Sequence, residues 1–109
     1  MAYSEDLAIR MRAGLRRVRG VQEKKMFGGI GFLLNGNMAC GVHGQHLIVR
    51  LGTADYEAAL KKPHVREFDM TGRPMSGWIF VEKPGYQSKE ALGHWMAISI
   101  KFAKSLPPK

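Results

Sequence analysis

Near the N-terminus apolar side chains recur every three or four residues, at Leu7, Met11, Leu15 and Val18. That spacing marks one face of an α-helix. Ser4 can cap it, Glu5 and Asp6 suit its positive end, and Gly20 is a stop signal. The pattern predicts a first helix over 4–19, with Arg10, Arg12, Arg16, Arg17 and Arg19 off the apolar stripe. The period then changes. Residues 24–27 read as extended, and two apolar runs, 30–34 and 38–42, flank Asn35-Gly36. This dipeptide tolerates the positive φ that a type I′ hairpin turn needs at both central positions. Gly44-Gln45 makes a second tight turn into a strand over 46–51, so the region reads as a β-meander.

Thr53 can cap a short helix bearing Tyr56, Ala59 and Leu60, which Pro63 ends. A short strand is expected within 65–70 and a loop over 71–77, where Gly72, Pro74 and Gly77 punctuate the chain. Trp78 to Val81 is a strand and Pro84-Gly85 a turn. Ser88 caps a last helix with Leu92, Trp95, Met96 and Ala103 on one side, and Pro107-Pro108 prevent its continuation. The order α-β-β-β-α-β-β-α describes an α+β fold, a two-layer α/β arrangement with an antiparallel sheet. Residues 1–109 make a single domain, the size one modest core supports.

Pairing the strands across Asn35-Gly36 without interruption puts Ile30, Phe32 and Leu34 opposite Ala39 and Gly41. The other face then carries Gly29, Gly31 and Leu33 opposite Met38, Cys40 and Val42. Large side chains meet small ones on both faces, which suits cross-strand packing. Both faces are nevertheless apolar, as they are again at Trp78 to Val81. Three short helices do not readily cover two apolar faces. Exposed apolar area on that scale marks an interface, so a symmetric homodimer through one sheet face or edge is expected, with Phe32, Leu34, Trp78 and Phe80 as candidate interface residues; Arg73, in the 71–77 loop, is either a structural donor to backbone carbonyls or a further partner contact. The competing arrangement packs helices on both faces of a monomer.

Composition changes the picture only at two points. The single cysteine, Cys40, excludes an intrachain disulfide. The net charge of +8 favours polyanionic partners without naming nucleic acid. The charge is unevenly placed, with seven basic and three acidic residues in 1–25 and only one and two in 26–60. The N-terminus has no basic segment followed by an apolar run, and the long uncharged stretch 26–49 is broken by glycines, asparagines and histidines. A cytoplasmic protein without a membrane span is expected.

Candidate chemistry is sparse. Gly28-Gly29-Ile30-Gly31 lacks both the strand-then-helix context and the Lys-Ser/Thr ending of a phosphate loop. Glycines here fit a bulge or close packing better. His43 and His46 would need further ligands to hold zinc, with only Cys40, His64 and His94 available. Cys40, among apolar strand neighbours, reads as a packed thiol and not a nucleophile. Neither a carboxylate pair nor a nucleophile elbow is present. The expectation is therefore no catalytic residue, no metal and no cofactor. Trp78 and Phe80 could stack on bases, although only Arg73 and Lys83 flank them, so packing is the better reading. The arginines Arg10, Arg12, Arg16, Arg17 and Arg19 are the candidate nucleic-acid contacts.

Three segments together resemble the TfoX N-terminal domain family. They are Lys25-Met26-Phe27-Gly28-Gly29-Ile30-Gly31-Phe32 with Leu34-Asn35-Gly36-Asn37-Met38, then Leu47 to Gly52 followed by Tyr56, and Phe68 to Met75 followed by Gly77-Trp78. The resemblance implies a fold like that of type III secretion chaperones and a regulatory role without catalysis. The family's named members, TfoX or Sxy, regulate natural competence with the cyclic-AMP receptor protein and carry a further helical C-terminal domain. The expected function is a transcription-linked module acting through protein–protein contacts, the alternative being direct DNA binding through the arginines of the first helix.

Overall fold

The computed structural model describes residues 3–26, 28–69, 72 and 75–108. The chain runs α1 (Glu5–Leu15), β1 (Val21–Met26), β2 (Gly29–Leu34), β3 (Asn37–His43), β4 (His46–Arg50) and α2 (Thr53–Leu60). It continues through β5 (Val65–Glu67), β6 (Trp78–Val81), α3 (Lys83–Tyr86) and α4 (Lys89–Lys104). The strands form one antiparallel sheet in the order β1-β2-β3-β4-β6-β5. This is the expected α+β architecture; the extended stretch at 24–27 belongs to a full strand, β1, that starts at Val21, and the Pro84-Gly85 turn lies within a one-turn helix, α3.

The long helices start where their caps predict. The Ser4 Oγ accepts from the Leu7 amide at 3.2 Å, and the Ser88 Oγ from the Ala91 amide at 3.0 Å. α1 ends at Leu15, not at 19, because the chain must turn to feed β1. The Val18 amide donates to the Leu15 carbonyl, and Gly20, at φ +85°, accepts the Asn35 amide on its own carbonyl. Arg17 and Arg19 therefore lie beyond the helix, and Arg16 is its C-cap. α2 is capped by the Gly52 backbone without a side-chain bond, so Thr53 is its first residue and not its cap.

The central hairpin turns at Asn35 (φ +52°) and Gly36 (φ +86°), as type I′ geometry requires. Its pairing is not the uninterrupted one. Leu34 meets Asn37 and Leu33 meets Met38, but Phe32 then meets Cys40, so Ala39 is an extra residue in β3. Such a bulge exchanges the faces of the strand beyond it. Cys40 and Val42 consequently join Ile30, Phe32 and Leu34 on one side, and Gly41 faces Gly31 on the other. This corrects the face assignment expected for Cys40, Gly41 and Val42.

The main core lies between that first side and the helices. Leu7, Met11 and Leu15 of α1, Tyr56 of α2, Tyr86 of α3, and Leu92, Trp95 and Met96 of α4 all pack there. They meet Ile30, Phe32, Leu34, Cys40, Val42, Leu47, Val49, Ile79 and Val81 of the sheet. Two partly buried bonds tie α4 to α3 and α3 to the β3–β4 turn. Trp95 Nε1 donates to the Gly85 carbonyl at 3.1 Å, and the Tyr86 hydroxyl to the Gln45 carbonyl at 2.7 Å. Asn37, buried at the hairpin end, donates to the Pro107 carbonyl at 2.8 Å and so ties down the C-terminal segment.

The opposite side has its own, smaller cluster: Ile48, Phe68 and Phe80, with Met38 and Trp78 packed beside it. No helical residue belongs to it. Helices on both faces of one subunit, the arrangement set against the dimer, are thus not found among the described residues. Gly31 and Gly41 form the floor of this side. A Cβ at Gly41 would lie 2.5 Å from the Ile30 carbonyl oxygen and 3.2 Å from Met38 Cε. Since a strand carbonyl cannot retreat without breaking the ladder, Gly41→Ala should cost about 1–3 kcal/mol. Urea unfolding followed by tryptophan fluorescence measures it, and a cost near zero would contradict the bulged register.

Candidate interaction surface

The helix-free side of the sheet owes its chemistry to the register. Arg50 pairs with Trp78 and Arg66 with Phe80, so each cation stands beside an aromatic ring on the same face. The Arg50 guanidinium carbon lies 5.0 Å from the Trp78 ring centroid and 5.4 Å from that of Phe102. An Arg50 Nη1 donates to the Met38 carbonyl at 3.3 Å. The Arg66 guanidinium is 5.9 Å from Phe80. Contacts of this kind are attractive because the ring face is electron-rich.

Phe80 itself is enclosed. His43 and His46 face each other across the Gly44-Gln45 turn, with ring centroids 6.2 and 5.3 Å from that of Phe80. Phe68 closes in at 4.8 Å and also meets Trp78 at 5.7 Å. As a result Phe80 and Ile48 are buried while Leu33, Met38 and Trp78 remain partly open. Met26 leans over Gly31 and Met38 over Gly41, laying flexible thioether chains on a flat glycine floor. The surface is thus an apolar strip of Leu33, Met38 and Trp78 beside two arginines.

Several expected residues lie elsewhere. Phe32 and Leu34, expected at an interface, are 2% and 1% exposed beneath the helices and belong to the core. The hairpin register directs them there. Phe80 is held mostly under its neighbours. Arg73 lies outside the described residues. Of the five arginines, Arg10 donates from Nη2 to the Tyr86 and Gln87 carbonyls at 3.3 and 3.0 Å. Arg12 forms a two-pronged pair with Glu23 at 2.7 and 2.9 Å, and that hydrogen bond holds the Glu23 carboxyl below its usual range. Arg16, Arg17 and Arg19 are exposed around the α1–β1 turn, and Arg16 shares with Arg12 and Glu23 a shallow crevice of about 270 Å³.

The cysteine and histidine candidates are dispersed too. Cys40 lies on the helix side, where burial pushes its thiol up to about 12 against an opposing hydrogen bond from Ser99. His43 and His46 lie on the other side, and His94 lies against Lys62, its Nε2 3.5 Å from Nζ. No group of three potential metal ligands comes together among the described residues. A groove of about 520 Å³ runs between α2 and α4, with Leu51, Trp95, Ile98 and Phe102 inside and Asp55, Lys62 and Lys101 along it. Its one carboxylate among cations has no second acid for paired acid–base work.

The signal missed in the sequence was the interleaving of cations with the aromatic strand. Arg50 and Arg66 come from different strands and reach Trp78 and Phe80 only through the crossover that seats β6 between β4 and β5.

A one-sided helix layer on an antiparallel sheet, with aromatic and cationic side chains on its free face, defines a small two-layer α+β module. The chain belongs to the TfoX N-terminal domain family, whose model matches residues 13–103. Searches of the curated proteins and of the solved structures gave no match. No helix among the described residues is long and apolar enough to cross a membrane.

Burial and Arg66 lower the affinity of His46 for a proton, Glu82 opposing them only in part. The unfolded chain takes up that proton near the ordinary value of 6.5, whereas the folded chain resists until lower pH. Stability should therefore be full above that value and fall as pH drops through it toward the lowered folded value. Melting temperatures across this window should decline for the native chain and decline less for His46→Gln.

Proposed function

We infer that this chain is a non-enzymatic regulatory module of the cytoplasm, linked to transcription, that acts by gripping another protein on its helix-free sheet face. Membership of the TfoX N-terminal domain family supports a regulatory setting. The observation that carries the contact is the strip of Leu33, Met38 and Trp78, partly open and without a helix above it. Methionine adapts its shape to a partner surface, and tryptophan with arginine dominates the energetics of protein interfaces. The strip is narrow because Phe68 and the two histidines already shelter Phe80, which suits a partner that comes and goes.

A second reading, direct DNA binding, has its own support. Arg16, Arg17 and Arg19 are exposed and near one another in sequence, and Lys24 and Lys25 are exposed on the next strand. Against it, Arg10 and Arg12 spend their donors on the chain itself. Two measurements separate the readings. A photo-crosslinking side chain at position 38 should capture a transcription regulator or polymerase subunit in the host, and one at position 104 should not. Met38→Lys should lower that partner's affinity at least about tenfold, roughly 1.4 kcal/mol, with the fold intact. Equal capture at both positions would defeat the protein-binding reading. In the DNA reading, affinity should instead fall with salt, at a slope of about −0.9 for each phosphate contacted. Replacing Arg16, Arg17 and Arg19 together would flatten it.

A further inference from the structure

We propose that a second copy of this chain docks along the outward face of α1, the two helices lying antiparallel. Each residue of a helix turns about 100° from the last, so Asp6, Ile9, Ala13 and Arg16 form one stripe. The buried residues Leu7, Ala8, Met11 and Leu15 occupy the opposite side. Ile9 is 58% exposed, an aliphatic side chain at the centre of the helix facing solvent.

The charges on this helix divide by position. Those on its flanks are satisfied within the chain, Arg10 by the Tyr86 and Gln87 carbonyls and Arg12 by Glu23. Those on the stripe, Asp6 and Arg16, have no hydrogen bond or ion pair among the described residues. An acidic first turn and a basic end also suit the helix dipole. The dipole does not account for an isoleucine set in water between them.

A two-fold axis accounts for both. With the helices antiparallel and crossing midway between Ile9 and Ala13, Asp6 meets the second copy's Arg16 at each end. Ile9 then meets the second copy's Ala13, a large side chain against a small one. The contact is isologous, so every pair occurs twice. Asp6 and Ile9 precede the residues matched by the family model, which begin at 13. The dimer is independent of whatever the sheet face binds.

Sedimentation of the full chain from about 1 to about 200 μM tests this. At low salt the mass should rise from 12.2 kDa toward twice that value, and added salt should weaken the association. Asp6→Arg and Arg16→Asp should each stay monomeric alone, because each places like charges together. Mixed in equal amounts they should pair, since every contact again joins an arginine to an aspartate. Ile9→Glu and Ala13→Glu, both at exposed positions, should abolish association while the circular dichroism stays native. A wild-type chain that remains at monomer mass over the whole range would overturn the proposal. So would a dimer that survives both glutamate variants, or a charge-swapped mixture that behaves as its components do alone.

Discussion

In an antiparallel pair the side-chain period is two, so one inserted residue exchanges the faces of everything beyond it. In β3 the inserted residue is Ala39. Without it, Gly41 would point toward the helices, and Cys40 and Val42 would point away. With it, Cys40 and Val42 fill the layer beneath α4, and two glycines meet across the strands on the far side. The cost is one interruption of the ladder. The gain is the burial of two side chains that would otherwise enlarge an already apolar free face. Fully burying a valine-sized group is worth roughly 1.5–3 kcal/mol.

The free face is managed by other means than a helix. Ile48 and Phe80 would be costly in water, and the chain shields them with Phe68 from the segment after β5, with His43 and His46, and with Arg66. The stems and rings of such side chains cover apolar surface while their polar atoms stay hydrated. This explains how both faces of the sheet can be apolar in the sequence while only a narrow strip stays partly open. It also explains why the two arginines sit where they do. A lysine or arginine over a ring keeps an apolar surface soluble without hiding it from a partner that displaces the cation.

The long periodic elements were legible before any coordinates. The core faces of α1 and α4, the Asn35-Gly36 turn, the Ser4 and Ser88 caps and the Trp78 strand follow from local chemistry that tertiary packing had no reason to override. β1 was legible only at its end, where 24–27 read as extended, because Val-Gln-Glu-Lys-Lys-Met has no alternating apolar pattern to mark a strand. It is an edge strand with exposed charges over most of its length, held by its ladder to β2. The bulge was invisible for a related reason. Either register of the hairpin gives two apolar faces, and only the helix layer chooses between them. The free-face surface was half legible: its aromatics were evident, while its arginines depend on which strands become neighbours.

The fate of the α1 arginines follows from where the helix ends. Had α1 continued to residue 19, all five would have projected from one rod, and a basic face for nucleic acid would be the natural reading. Ending at Leu15 divides them. Arg10 and Arg12 point to either flank, where α3 and β1 offer carbonyls and a carboxylate within reach. Arg17 and Arg19 swing away with the turn. A side chain that already bonds its own fold must break that bond before it meets a phosphate, so the shortened helix weakens the electrostatic case for DNA without altering the net charge. The same termination leaves the outward stripe of α1 short and flanked by satisfied charges. An apolar residue at its centre can then be covered by a surface no larger than another helix.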